Sequence, residues 1–120
     1  MRGALGRDIF RNLEEPLAAL NAALPAANRI RMEGRTGDTS NADRDRMARR
    51  RPHLLLTTPE SLALLLSYPD AERFFASLRC VIVDELHSFA TSKRGHHLAL
   101  CLARLAALSP QARFVGLSAT

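Results

Sequence analysis

Apolar residues recur at helical spacing near the start of the chain, at Ile9, Leu13, Leu17, Leu20 and Leu24. Steps of three and four place one apolar stripe along a helix, so the pattern predicts an amphipathic helix over residues 7–24. Pro16 lies inside this span. A proline removes a backbone hydrogen bond from a helix interior, which predicts a kink or a break near Glu15.

The next part of the chain predicts a strand, a helix and a second strand. Residues 28–32 alternate between apolar and polar side chains, which predicts a short strand. Ser40 or Asn41 is placed to cap a polar helix that runs to about Arg51. Residues 54–57 are mostly leucine, and so short an apolar run predicts a buried strand.

Helix and strand signals alternate through the rest of the chain. They predict, in order, a helix from Thr58 to Leu66, a short helix over residues 71–77, a strand over 80–83, a helix over 95–108 and a strand over 114–117. Such alternation is typical of a parallel sheet with helices on its faces, so we expect an α/β fold. A chain of 120 residues is long enough for one domain and too short for two of ordinary size.

Arginine is concentrated in one part of the chain. Residues 29–51 hold eight arginines against four acidic residues, within a formal net charge of +5 for the whole sequence. A local arginine excess favours a polyanionic partner, because phosphate contacts release condensed counterions. The solvated end of a helix, where cations suit the helix dipole, explains the same run equally well. Charge alone therefore leaves both interpretations open.

The sequence carries no signal for membrane insertion or secretion. The longest apolar stretch is too short to cross a bilayer, and the first residues do not resemble a signal peptide, so we expect a cytoplasmic protein. Cys80 and Cys101 fall in a predicted strand and a predicted helix. Without a secretion signal, both are expected to be reduced core residues rather than a disulfide.

An acidic pair follows a short apolar run. Asp84 and Glu85 come directly after the predicted strand Cys80–Val83. Parallel α/β sheets bind ligands at the carboxyl ends of their strands. Two carboxylates there suit a magnesium nucleotide, since one can hold the hydrated metal while the other polarises the attacking water. Taken alone, the pair is also explained by a charged turn after a core strand.

Three further segments offer groups that suit phosphate. Thr58, Pro59 and Glu60 form a helix start whose free N–H groups can bind an anion, although the same residues also make an ordinary helix cap. Lys93 and Arg94 form a basic loop before a helix, or equally a solvated loop. The remaining segment combines a guanidinium, hydroxyls and a glycine that permits close backbone approach, and alone it would be an ordinary turn: Arg35, Thr36, Gly37, Asp38 and Thr39.

Taken in order along the chain, these motifs are similar to those of the Lhr-type (large helicase-related) DExH helicases of superfamily two, including their ligase-associated branch. The resemblance covers essentially the whole chain and includes the Gly-Leu-Ser-Ala-Thr segment at its end. It implies that Asp84 binds Mg²⁺ through water and that Glu85 positions and deprotonates the hydrolytic water. It also implies that His87 links the nucleotide site to Ser118 and Thr120.

The resemblance further implies a RecA-like (P-loop NTPase) fold, ATP and Mg²⁺ as cofactors, and ATP-driven translocation along single-stranded nucleic acid, usually DNA in repair. The implied nucleic-acid contacts are Arg35, Thr36, Gly37, Asp38, Thr39, Thr58, Pro59, Glu60, Lys93 and Arg94.

One part of the family pattern is missing from the sequence. No Gly-x-x-x-x-Gly-Lys-Ser/Thr phosphate loop is found, and Lys93 is the sole lysine. We therefore expect residues 1–120 to be a truncated first RecA-like domain that lacks the phosphate loop and the second motor domain. Such a chain would be inactive alone and would be completed by the missing motor-domain segments of its parent protein. The alternatives are a non-catalytic nucleic-acid-binding or interaction remnant, and an unrelated α/β enzyme that uses Asp84 and Glu85 as an acid/base pair.

Overall fold

The computed structural model describes residues 2–35, 40–89 and 93–118, with side chains from residue 9 onward. The chain divides into two compact units, Met1–Ser61 and Leu62–Thr120, and each is described by itself. Both units contain a pair of parallel strands together with helices, which confirms the α/β class. The sequence predicts one parallel sheet, but the described strands form two separate two-stranded sheets.

The first unit begins with helix α1, Arg2–Ala22, which continues through Pro16. The helix is therefore not broken near Glu15, and the alternative of a kink there stays a prediction. A tertiary contact anchors the helix beyond the proline: the side-chain amide of Asn21 donates to the carbonyl of Ile30 and accepts from its N–H, at 2.9 and 2.8 Å. These two bonds stabilise the last helical turn even though Pro16 removes one backbone bond.

The strand predicted over residues 28–32 is also misplaced. A short 3₁₀ helix, Ala26–Asn28, occupies its start, and strand β1 is Met32–Arg35. Asn21 takes both backbone groups of Ile30, so that residue cannot join a ladder with a neighbouring strand. The ladder begins two residues later and pairs β1 in parallel with β2, Leu54–Thr57, from Met32 opposite Leu54 to Arg35 opposite Thr57.

Helix α2, Asn41–Arg49, connects the two strands of the first unit. Ser40 caps it as predicted, because its Oγ accepts the N–H of Asp43 at 3.1 Å. Met47 is buried on the inner side of this otherwise polar helix. On its exposed side, Arg46 forms a double hydrogen bond with Glu33 of β1, and that carboxylate holds the pKa of Arg46 above its ordinary value.

The second unit contains the remaining elements. Helix α3, Pro59–Ser67, leads into it. The elements that follow are helix α4, Ala71–Phe74, strand β3, Cys80–Val83, a 3₁₀ helix, Leu86–Phe89, helix α5, Lys93–Leu108, and strand β4, Arg113–Gly116. Strands β3 and β4 pair in parallel, from Cys80 opposite Arg113 to Val83 opposite Gly116. Parallel pairing requires a crossover, and α5 provides it. Its buried side chains are Leu98, Cys101 and Leu105.

Side chains at the end of α5 fix where the two strands begin. Ser109 is fully buried, and its Oγ donates to the carbonyl of Phe75 at 2.5 Å. The amide of Gln111 donates to the carbonyls of Ala76 and Leu78 at 3.0 and 2.8 Å. The segments that enter β3 and β4 are thus joined, which sets the register that brings their carboxyl ends level.

Strand β3 is less buried than the sequence predicts. Ile82 is 61% exposed, Cys80 is exposed, and every residue of β4 is exposed as well. A two-stranded ladder has few neighbours to cover its faces, so an apolar run alone does not ensure burial. Both cysteines are free, as expected, but only Cys101 of the two is a core residue. Across the described residues, no helix combines the length and hydropathy needed to span a membrane.

Candidate functional site

The predicted acidic pair lies at the carboxyl end of β3. Asp84 and Glu85 follow the last strand residue, Val83, and β4 ends at the same edge because the two strands run parallel. Two backbone bonds join the segments beyond the strands. The N–H of Leu117 donates to the carbonyl of Val83 and the N–H of Leu86 donates to the carbonyl of Leu117, both at 2.8 Å. The acidic pair and the segment before Ser118 are therefore held together by main-chain atoms.

Glu85 has a backbone conformation that is uncommon for a glutamate. Its φ is 56°, in the left-handed region, and it is the sole described non-glycine residue with a positive φ. Neighbouring groups hold it there. Asp84 Oδ1 accepts the N–H of Glu85 at 2.9 Å. The N–H and Oγ of Ser88 donate to the carbonyl of Glu85 at 2.9 and 2.8 Å. Such strain persists where the surroundings over-determine it, and it is concentrated at functional sites.

His87 contacts two of the predicted residues at once. Its Nε2 lies 3.1 Å from Glu85 Oε2, and its Nδ1 lies 2.9 Å from Ser118 Oγ. An ionised carboxylate can only accept hydrogen bonds, so Nε2 must carry the proton that faces Glu85. In the neutral ring, Nδ1 then accepts from the Ser118 hydroxyl. The structure thus brings together His87, Glu85 and Ser118, although His87 and Ser118 are 31 residues apart in the sequence.

The carboxylates of the site are open to a ligand. The Glu85 side chain is 43% exposed, the His87 side chain is 36% exposed, and Asp84 is exposed. Asp84 uses one carboxylate oxygen for the N–H of Glu85, which fixes the side chain while it remains accessible. Exposed carboxylate oxygens suit Mg²⁺, which keeps several waters and takes one or two carboxylates from the protein. The residues present therefore fit a hydrated magnesium ion.

A glycine permits the close approach of the two segments. A Cβ at Gly116 would lie 2.7 Å from Leu86 Cδ2, closer than side chains approach one another. Leu86 is the first residue of the Leu86–Phe89 helix and follows Glu85 directly. The small residue at the end of β4 therefore lets this helix lie against the strand.

The basic pair Lys93 and Arg94 forms the start of α5, not a loop before it. The Arg94 guanidinium carbon lies 5.1 Å from the centre of the Phe89 ring, a cation–π distance. Gly95 approaches the Phe89 backbone so closely that a Cβ at this position would fall on the Phe89 carbonyl oxygen. Arg94 and Gly95, in the first turn of α5, thus lie against the same short helix that follows the acidic pair.

The other predicted contacts lie in the first unit. Thr58 caps α3 as predicted, since its Oγ1 accepts the N–H of Ser61 at 3.2 Å. Pro59 is the first residue of that helix, and Glu60 lies exposed in its first turn. Arg35 ends β1 and is only 3% exposed, which its arginine-rich sequence context did not indicate.

Some predicted site residues fall outside the described part of the chain. They are Thr36, Gly37, Asp38, Thr39 and Thr120. The described neighbours of the first four are positioned by the β1–β2 pair, where Thr57 Oγ1 donates to the Arg35 carbonyl at 2.9 Å. The expectation that all of these groups face the same edge as the acidic pair stays a prediction.

Two features of the site were missed by reasoning from sequence. The positive φ of Glu85 has a faint local signal, since Asp84 and Ser88 are residues whose side chains bond nearby backbone. The contact of Gly95 with Phe89 has no local sequence signal. No described glycine has a positive φ, so Gly95 is needed because a side chain would not fit, not because of its backbone conformation.

Comparison with known proteins identifies relatives of the whole segment. The model of the DEAD/DEAH box helicase family matches residues 2–120. The chain is 48% identical over 120 residues to the ATP-dependent helicase Lhr-Core of Methanothermobacter thermautotrophicus, and 43% identical over 122 residues to the Lhr helicase/uracil glycosylase of Escherichia coli. The matches cover 98% of this chain but 14% and 8% of those proteins, so it spans a small part of their length.

Solved structures of helicases also match nearly the whole chain. The Mycobacterium smegmatis helicase Lhr bound to ssDNA and AMP-PNP matches with a TM-score of 0.86 at 45% identity, over 98% of this chain and 16% of that one. The DUF1998 helicase MrfA bound to DNA matches with a TM-score of 0.75 at 27% identity, over 98% of this chain and 16% of that one.

Proposed function

Because the chain belongs to the DEAD/DEAH box helicase family and is of the Lhr type, we propose that it forms part of the first motor domain of an ATP-dependent helicase. The observation that carries the proposal is the double contact of His87, which connects the carboxylate of Glu85 with the hydroxyl of Ser118. A motor must connect ATP hydrolysis with motion along its track, and a ring that holds groups from two segments suits that task.

Glu85 is the proposed general base. Its exposed carboxylate accepts a proton from the water that attacks the γ-phosphorus of ATP, and a positioned base of this kind contributes typically 10²–10⁴-fold to the rate. Asp84 would hold Mg²⁺ through water, and that ion, when bound, neutralises the charge of the phosphate oxygens. The fixed Asp84 side chain and the constrained Glu85 backbone support these roles, because catalysis here depends chiefly on positioning.

His87 orients Glu85 through its Nε2 proton and leaves the other carboxylate oxygen for water. Its Nδ1 bond with Ser118 gives the segment beyond β4 a direct influence on the base. Ser118, together with Thr120, is therefore proposed to report the state of the nucleotide to the neighbouring motor domain.

The proposed partner is single-stranded nucleic acid, with DNA favoured because the Lhr relative from Mycobacterium smegmatis was solved with ssDNA. The proposed contacts are to the phosphate backbone, by Lys93 and Arg94, by the Thr58-Pro59-Glu60 helix start, and by Arg35 and residues 36–39. Arg35 is buried in the structure, so a phosphate contact by its guanidinium requires that side chain to become accessible. DNA repair and the cytoplasm are the proposed process and location.

The test uses the parent helicase, meaning the full-length protein in which this segment is joined to a phosphate loop and a second motor domain. Phosphate release from ATP is measured with and without single-stranded DNA. We expect hydrolysis that DNA stimulates, and we expect none from the 120-residue chain alone, whose sequence has no Gly-Lys-Ser/Thr phosphate loop. A parent protein without ATP hydrolysis, or hydrolysis by the isolated segment that Glu85→Gln abolishes, would overturn the proposal.

A further inference from the structure

The Leu86–Phe89 helix is held from two sides. On one side, the N–H of Leu86 bonds the carbonyl of Leu117, and the Leu86 side chain lies against Gly116 at the end of β4. On the other side, the Phe89 ring and carbonyl contact the first turn of α5 at Arg94 and Gly95. The four-residue helix therefore lies between the strand end that carries Ser118 and the helix start that carries the basic pair.

The contact at Gly95 is made by backbone atoms. An added Cβ would overlap the Phe89 carbonyl oxygen and lie within 3 Å of the carbonyl carbon, so no side-chain rotation could relieve it. Contact between main-chain atoms leaves little compliance, because packed interiors transmit displacement instead of absorbing it. A shift of the first turn of α5 must therefore shift Phe89 as well.

Phe89 is separated from the catalytic groups by a single helical turn. Ser88 bonds the carbonyl of Glu85 through both its N–H and its hydroxyl, and His87 contacts the Glu85 carboxylate. A displacement at Phe89 is therefore passed to both groups that hold Glu85. This route begins at the first turn of α5, whereas the His87–Ser118 bond begins at the segment beyond β4.

We infer that Phe89 is a positioning residue that connects the basic pair Lys93–Arg94 with Glu85, so that nucleic acid held by the basic pair accelerates the water activation performed by Glu85. The inference rests on the proposed function, since it assigns the residue through which one proposed site acts on the other. The Arg94 guanidinium stacked on the ring is the point where bound phosphate would pull, and the Gly95 contact prevents α5 from moving alone.

The central experiment compares Phe89→Leu with Phe89→Tyr in the parent helicase. Leucine keeps an apolar side chain but removes the ring beneath Arg94, whereas tyrosine keeps the ring. Phe74→Leu is the matched control, because Phe74 is also a partly exposed phenylalanine of this unit but lies in α4. The rate of ATP hydrolysis is measured without and with saturating single-stranded DNA, together with the ATP and DNA concentrations that give half the maximal rate.

For Phe89→Leu, we expect the DNA-stimulated kcat to fall roughly 2- to 5-fold, the worth of one exposed cation–π contact. The basal rate and the half-saturating ATP concentration should stay at parental values. Phe89→Tyr and Phe74→Leu should both keep full stimulation. This split between stimulated and basal rates separates positioning from a general loss of structure, which would lower both.

Gly95→Ala tests the backbone contact by itself. The methyl group must push α5 away from Phe89, so stimulation should fall by about tenfold or more, since misplacement by 1 Å can cost 10²-fold. Gly34→Ala is its control, because a Cβ there meets the Phe10 ring at an ordinary 3.6 Å. Phe89→Leu decides the matter if Gly95→Ala does not fold.

Three results would overturn the inference while leaving the proposed function intact: full stimulation in Phe89→Leu, equal loss of basal and stimulated rates in that variant, or a Phe89→Tyr variant as impaired as Phe89→Leu. A parent helicase that DNA does not stimulate would instead overturn the proposed function, and this connection with it.

Discussion

The backbone N–H of Leu86 donates to the carbonyl oxygen of Leu117 at 2.8 Å, which joins the residue after Glu85 to the residue before Ser118 through main-chain atoms alone. Side chains can therefore be changed at the site while the two segments remain adjacent. The functional contributions of His87 and Ser118 can for this reason be measured separately from the fold that brings them together.

The first prediction concerns His87 and Ser118. If they act through their 2.9 Å bond, the double variant His87→Ala with Ser118→Ala should lose little more activity than His87→Ala alone. A hydrogen bond of this kind is worth roughly 0.5–1.5 kcal/mol, so the coupling should appear as about a 2- to 10-fold departure from additivity. The measurement is kcat/KM for ATP in the parent helicase with DNA present. Fully additive losses would show that the bond has no functional role.

The second prediction concerns the general base. Glu85→Gln in the parent helicase should leave ATP binding nearly intact, because the amide keeps the size and polarity of the side chain. Hydrolysis should slow by roughly 10²-fold or more, since the amide cannot accept the water proton. Glu72→Gln, the same change at an exposed position in α4, is the matched control. Hydrolysis at the parental rate in Glu85→Gln would mean that another group is the base.

The third prediction concerns the backbone of Glu85. At a φ of 56° an L-residue with a Cβ is strained by about 1–2 kcal/mol relative to glycine, so Glu85→Gly should be more stable than Glu85→Ala by about that amount. Both variants lose the same contact with His87, so the comparison isolates the backbone. Urea unfolding followed by circular dichroism gives the difference. Equal stability of the two variants would contradict a left-handed conformation at this residue.

The fourth prediction concerns nucleic-acid binding. Arg94→Gln in the parent helicase should weaken DNA binding and reduce the dependence of log K on log salt by up to about one unit, as expected for one lost phosphate contact. Arg104→Gln removes the same charge from an exposed position farther along α5 and should change neither quantity. Titrations at several salt concentrations provide both values. Identical slopes for the two variants would remove Arg94 from the proposed contacts.

Helix starts that depend only on neighbouring residues were predicted correctly from the sequence. Ser40 and Thr58 cap their helices through the expected bonds to N–H groups three residues later. The first strand was misplaced because a distant contact decided the outcome. Asn21 satisfies the backbone of Ile30, which displaces the first strand and anchors α1 beyond Pro16, and nothing within either segment indicates that pairing.

The site shows the same division between local and distant causes. The position of Asp84 and Glu85 after β3 followed from the apolar run, whereas the contacts of His87 with Glu85 and Ser118 join residues from distant segments. The burial of Arg35 depends on packing around β1, which composition does not encode. An arginine-rich run can therefore include a side chain that solvent does not reach.

The exposed strands of the second unit have a practical consequence for handling the chain. Ile82, Phe114 and Val115 are exposed on short strands rich in apolar residues, and such segments favour intermolecular pairing when no other surface covers them. We therefore expect self-association to limit the protein concentration at which the 120-residue chain stays monomeric. Light scattering across a dilution series will reveal that limit, and an Ile82→Lys change, which puts a charge on the exposed face, should raise it.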